Sequence, residues 1–139
     1  ILLRYAEILL TYAEAKIELN QIDQSVFDAI NMVRNGRNDV KQPPVLSGTQ
    51  EELRAIVRRE RTLELAFEGL HMFDIRRWKT AENVMTGPVY GMSYLDNGQL
   101  VTVTSAGVNR TFDKSKHYLW PVPLTEFNLS PGLGQNPNW

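Results

Sequence analysis

Between Leu53 and Trp78 a broad apolar stripe runs at helical spacing through Leu53, Ile56, Val57, Leu63, Phe67, Leu70, Ile75 and Trp78, and charged side chains fall inside it. Glu60, Glu64, His71 and Asp74 share that face. Burying an unpaired charge costs several kcal/mol, so a fold that covers this stripe has to bring cations to it. Arg34 and Arg37 close the preceding helical segment, and Arg58, Arg59 and Arg61 lie close by. Two readings follow: a structural ion-pair network that ties helices together, or a carboxylate metal site.

The metal reading has one hook. Glu68 and His71 form a Glu-x-x-His pair of the kind found in di-iron bundles, which need two such pairs on different helices. The chain has two histidines, and His117 is preceded at that spacing by Lys114. Half of the ligand set is missing, so the ion-pair reading is preferred and no metal or cofactor is expected. Nucleophilic catalysis has no better footing. There is no Gly-x-Ser-x-Gly, and Ser115 and His117 are too close in sequence to act as nucleophile and base in a common geometry. No catalytic residue is assigned.

Composition narrows the class. In 139 residues, fifteen Lys and Arg stand against sixteen Asp and Glu, a net charge of −1, which disfavours nucleic acid as a partner. Cys is absent, which excludes disulfides, Cys-ligated zinc and thiol catalysis within the chain. A chain of this length supports one domain with a real core. It begins Ile1-Leu2-Leu3-Arg4-Tyr5, already in a helical pattern and without an initiator Met, as expected of a piece of a longer protein.

Local signals divide the chain into four stretches. Residues 1–38 read as a helical hairpin, with Asp23 as the cap of the second helix, Asn35-Gly36 as its left-handed stop, and small residues Ala13 and Ser25 where two helices can touch. That spacing is tetratricopeptide-like. Residues 49–79 read as one long helix opened by the capping box Thr49-Gln50-Glu51-Glu52 and interrupted only at Gly69. Residues 88–108 read as a hairpin or loop insertion, with an Asn97-Gly98 turn and a strand at Val101–Thr104. Residues 109–139, with Pro121, Pro123, Pro131 and Pro137, read as an ordered coil packed on the helices through Trp120, Phe127, Leu129, Leu133 and Trp139. The expected fold class is mainly α with a small β-hairpin. Exposed aromatic rings stack on the C–H faces of sugars while amides bind hydroxyls. Tyr90 and Tyr94 with Asn97 and Gln99 are therefore the candidate saccharide-binding residues, against a plain role in anchoring the loop.

Four ordered motifs add up to a resemblance. They are Leu3-Arg4-Tyr5-Ala6-Glu7 with Tyr12-Ala13-Glu14-Ala15; Ala29-Ile30-Asn31-Met32-Val33-Arg34 through Arg37; and Arg59-Glu60-Arg61, Glu64-Leu65 and Glu68-Gly69 followed by Phe73-Asp74-Ile75-Arg76-Arg77-Trp78. The last is Trp120-Pro121-Val122-Pro123 with Glu126 and Gln135-Asn136-Pro137-Asn138-Trp139. Together they resemble the C-terminal part of SusD/RagB-type outer-membrane proteins of the Bacteroidetes, with Asn138 where Gly is usual and Ser130-Pro131 in place of Asn-Pro. The resemblance implies tetratricopeptide-like helix pairs with irregular loops. It implies a lipid-anchored cell-surface protein that captures glycans and hands them to a TonB-dependent, SusC-like transporter, with no enzymatic activity. It also makes the signature charges framework, in agreement with the ion-pair reading: Arg34, Arg59, Glu60, Arg61, Glu64 and Glu68. The alternative function is a helical-repeat module that binds protein and no sugar.

Overall fold

The computed structural model describes residues 3–36, 42–130 and 132–139; Ile1, Leu2, Arg37 and Pro131 of the motifs above lie outside that set. Where the sequence alone suggests one domain, the chain gathers into two compact units, 1–71 and 72–139.

The first unit is helical. Helix α1 (Tyr5–Glu18) and helix α2 (Gln24–Asn35) form the hairpin, and α3 (Gln50–Glu64) packs against both. Leu10, Ala13 and Ile17 of α1, Val26, Ala29 and Ile30 of α2, Leu53 and Val57 of α3, and Val45 from the intervening coil form one buried cluster. The coil that carries Val45 is fixed by Asn31, whose amide donates to the Val45 carbonyl and accepts from its N–H, both at 2.8 Å.

Caps set the helix starts where the residues indicate. The Thr49 side chain accepts from the Glu52 N–H while the Glu52 carboxylate takes the Thr49 N–H at 2.8 Å. Asp23 accepts from the Ser25 N–H at 3.0 Å and pairs with Lys16. Lys16 above all, and then the Ser25 hydroxyl, hold the Asp23 carboxyl down at about 2, against an ordinary 3.8. A depressed carboxyl adds stability above its unfolded value and loses it as pH falls through its folded one. Asp23 is therefore expected to stay ionised at pH 3 and to protonate near 2. Carboxyl ¹³C shifts followed by NMR check this, and a midpoint at or above 3.8 contradicts the cap geometry.

Two stops differ from expectation. Gly36 ends α2 with φ −68°, in the right-handed region, so the left-handed cap is not used. The long helix ends at Glu64, well before Gly69: Phe67 takes φ 65° and Gly69 φ 81°, and the chain turns there before resuming as α4 (His71–Arg77). Leu53, Val57 and Ile75 are buried, whereas Leu63 is exposed and Phe67 fully so.

In the second unit, α4 is followed by the single turn α5 (Ala81–Val84) and by an antiparallel hairpin of β1 (Gly87–Asp96) and β2 (Gln99–Arg110). The hairpin turns at Asn97 (φ 48°) and Gly98 (φ 80°), the paired positive φ values that an Asn-Gly turn provides. Its strands are longer than the sequence suggests, and two register shifts between Pro88 and Ser93 interrupt them. The tail is coil except for a short helix, α6 (Leu124–Leu129). Pro123 stands at the N-cap of α6, where its carbonyl accepts from the Phe127 N–H at 3.0 Å and no N–H is required of it, so it opens the helix. Gln135 clamps the tail on itself, accepting from the Val122 N–H at 2.7 Å and donating to its carbonyl at 3.1 Å. No helix among the described residues is long and apolar enough to cross a membrane.

Candidate functional site

Among the described residues, charged groups of the first unit pair between its helices. Arg34, at the end of α2, pairs with the buried Glu60 of α3 and also donates to the Pro43 carbonyl, from Nη2 at 3.0 Å. Arg61, also buried, reaches Glu7 on α1 at 3.8 Å and the Thr11 hydroxyl at 3.0 Å. Another group centres on Arg4, just ahead of α1. Its Nη1 meets Glu64 at 2.8 Å, its Nη2 donates to the Glu64 carbonyl at 2.7 Å, and its Nε lies 2.9 Å from Glu68. Hydrogen bonds to Glu68 and then Glu64 raise the Arg4 guanidinium above its ordinary value. Arg54 of α3 binds Glu18 of α1 through two 2.8 Å bonds, which hold the Glu18 carboxyl below the usual range.

Most of the expected charges are thus brought together, with two corrections. Arg59 is exposed and makes no ion pair among the described residues. Arg4 supplies the cation for Glu64 and Glu68, although the residues near them in sequence offer Arg58, Arg59 and Arg61. Its position sixty residues away gives no local signal, and only the Leu3-Arg4-Tyr5 motif draws attention to it. Glu68 is bound by Arg4, 2.7 Å from its Nη2. Among the described residues no group of three or more His, Asp or Glu side chains is placed to hold a metal ion.

The second unit carries the saccharide candidates. Tyr94 pairs across the strands with Val101 close to the turn at Asn97, and Gln99 faces Asp96. Directly opposed residues share a face and neighbours along a strand alternate, so Tyr94 and Val101 lie on one side of the ribbon. Ser93, Thr102, Leu95 and Leu100 lie on the other, with the Ser93 and Thr102 hydroxyls 2.8 Å apart. Tyr90 opposes Thr104 beyond a register shift, so it is not brought into the Tyr94–Asn97 end. All four candidate side chains, Tyr90, Tyr94, Asn97 and Gln99, are exposed, as are Met92, Leu95 and Leu100.

Sequence reasoning missed the aromatic cluster beside α4. Phe112 meets His117 and Tyr118 edge-on at 5.5 and 5.0 Å, and His117 lies against Trp139 at 5.5 Å. The Arg76 guanidinium sits over the Trp120 ring at 4.1 Å, and Lys79 sits over Tyr118 at 4.2 Å. The tail does pack, but less deeply than its aromatic content suggests: Trp120 is 63% exposed and Trp139 44%. The Ser115 hydroxyl donates to Asp113 at 2.7 Å, and His117 Nδ1 accepts from the Asp113 N–H at 2.8 Å. These three residues close a turn; the serine is not hydrogen-bonded to the histidine.

The SusD family model matches residues 1–139. The chain belongs to the SusD family. It is 32% identical over 139 residues to the SusD-like protein P2 of Formosa agariphila, an alignment that covers 96% of this chain and 24% of that protein. A crystal structure of a SusD-like protein from Bacteroides fragilis superposes on all of the chain and 26% of its own, with a TM-score of 0.81 and 34% identity. A second protein of that species, described as a SusD-like carbohydrate-binding protein, covers 91% of this chain and 27% of its own, with a TM-score of 0.76 and 38% identity. The chain spans about a quarter of the length of these relatives. The mainly helical fold with one small hairpin follows the family.

Proposed function

We propose that the protein containing this segment is a cell-surface glycan-binding component of an outer-membrane uptake system. In this reading it is lipid-anchored, delivers oligo- or polysaccharide to a TonB-dependent, SusC-like transporter, and performs no chemistry on it. One observation carries the sugar-binding part: 38% identity across 91% of the chain to a SusD-like carbohydrate-binding protein of the same fold. The exposed Tyr94 and Asn97 at the hairpin end supply a ring face and an amide of the kind that binds sugar, and Tyr90 offers a second ring further along the ribbon.

Saccharide titrations followed by tryptophan fluorescence and by tyrosine NMR shifts test this reading. Saturable binding is expected for at least one oligosaccharide. Tyr94→Ala is expected to weaken it about tenfold or more, in line with the ~1–3 kcal/mol of a stacked ring. Binding that is indifferent to both Tyr90→Ala and Tyr94→Ala removes the hairpin from the site. No reducing sugar is expected to be released from any polysaccharide bound; release abolished by Glu60→Gln or Glu64→Gln would contradict the non-enzymatic reading.

One observation favours a second reading, a protein-binding module. On α1, Tyr5, Ile8 and Tyr12 leave an exposed apolar line at three- and four-residue spacing, opposite the buried Leu10, Ala13 and Ile17. A helix apolar on two faces packs against helices on both. A saccharide panel without a binder, together with co-purification of the transporter that is lost on Ile8→Glu, would favour this reading over sugar capture.

A further inference from the structure

We propose that the cleft between α4 and the tail in the second unit is a subsite for the oxyanion of an acidic sugar, with Arg76 as its cation. This rests on the glycan-binding reading above and extends it to a substrate class. The cleft measures about 150 Å³, and its walls include Arg76, Thr111, Phe112, His117, Trp120 and Trp139. That is well below the roughly 300–1,000 Å³ of sites for drug-sized ligands, so it suits one sugar residue or its charged substituent.

Two donors point to an anion. Arg76 Nε and Nη1 are buried and have no hydrogen-bond partner. Buried polar atoms are almost always paired, and an unpaired guanidinium N–H costs more than a neutral one. The natural acceptor on the same helix, Asp74, is bonded to Arg77 at 2.9 Å instead. Among the described residues, no Asp or Glu side chain lines the cleft. The guanidinium carbon lies 4.1 Å from the centre of the Trp120 ring, a cation–π contact that keeps the arginine at the wall of the cleft.

The surroundings reinforce this. His117 Nδ1 is occupied by the Asp113 N–H, so in the neutral ring the proton is on Nε2, giving the wall another donor. Lys116 lies over the Trp139 ring at 5.0 Å, adding positive charge to the rim. Trp120 and Trp139 supply apolar ring surface of the sort that sugar C–H groups cover. Cationic donors beside aromatic rings, with no Asp or Glu side chain among the described lining residues, match a saccharide bearing a uronate or a sulfate ester better than a neutral one.

The test is titration of the protein with sodium D-glucuronate, D-galactose 6-sulfate, D-glucose and inorganic sulfate, read by the indole N–H signals of Trp120 and Trp139. At least one acidic sugar is expected to saturate and to shift both indoles, at least tenfold more tightly than D-glucose and than inorganic sulfate. The glucuronate and sulfate-ester arms tell which oxyanion is preferred. Arg76→Gln is expected to remove that preference; should this variant fail to fold, the indole shifts in the unsubstituted protein still decide. Acidic sugars that bind no better than D-glucose, or that leave both indoles unmoved, overturn the proposal, and so does sulfate binding as tightly as the sugars. So does a carboxylate elsewhere in the protein found bonded to Arg76. If neutral polysaccharides bind while neither acidic sugar does, the subsite falls and the glycan-binding reading stands.

Discussion

Replacing Glu60 with Gln is expected to lower the unfolding free energy by about 3–5 kcal/mol, the usual cost of breaking a buried ion pair from one side. Glu60 is 6% exposed, and its partner Arg34 is anchored at the same time by the Pro43 carbonyl, so the guanidinium cannot swing out to water without losing that bond. The amide keeps the shape and loses the charge. Urea denaturation of the two forms checks the loss, and the double variant Arg34→Met/Glu60→Gln is expected to recover part of it, because removing both charges leaves neither uncompensated. Glu64 makes the useful contrast. Its side chain is 18% exposed and that of Arg4 is 29%, so water already screens the pair and Glu64→Gln is expected to cost only about 1 kcal/mol. Equal losses at the two positions would mean that burial does not set the energetics of this network.

Truncating Leu53 to Ala is expected to cost about 2–5 kcal/mol, the range for deleting a buried leucine side chain from a packed core. Leu53 has no exposed surface and belongs to the one cluster that joins α1, α2 and α3. The coil at Gly48 runs so close that a Cβ there would lie 3.1 Å from the leucine side chain. The same substitution at Leu63, on the same helix and in the same stripe by sequence, is expected to cost less than about 0.5 kcal/mol because the side chain faces water. Thermal or urea unfolding of the two variants distinguishes these outcomes, and a large loss at Leu63 would contradict its exposed position on α3.

What the residues reveal directly is local. The Thr49–Glu52 box, the Asp23 cap and the Asn97-Gly98 turn each depend on side chains within three residues of the backbone that they fix, and each forms as read. The carboxylates inside the stripe correctly announce interhelical pairing, because burial makes an unpartnered Glu60 untenable. Which cation comes to which carboxylate is a tertiary outcome: Arg4 reaches Glu64 and Glu68 from the far end of the chain. The helix break was hidden for a different reason. Leu65, Ala66, Phe67 and Glu68 are compatible with helix, and the left-handed Phe67 has no signature of its own beyond the nearby Gly69. Arg76 over Trp120 joins residues forty-four apart, so the cleft they form was legible only as an arginine in a signature motif and an aromatic in a Pro-rich tail.

Glycan capture is the proposed role of this framework. Its most direct test is affinity electrophoresis of the protein through native gels that each contain one polysaccharide, neutral, uronate-bearing or sulfated, with a non-binding protein as mobility standard. Retardation in at least one gel, relieved by the free oligosaccharide of the same composition, is the predicted result. Unchanged mobility in every gel, with the protein shown to be folded, would contradict it.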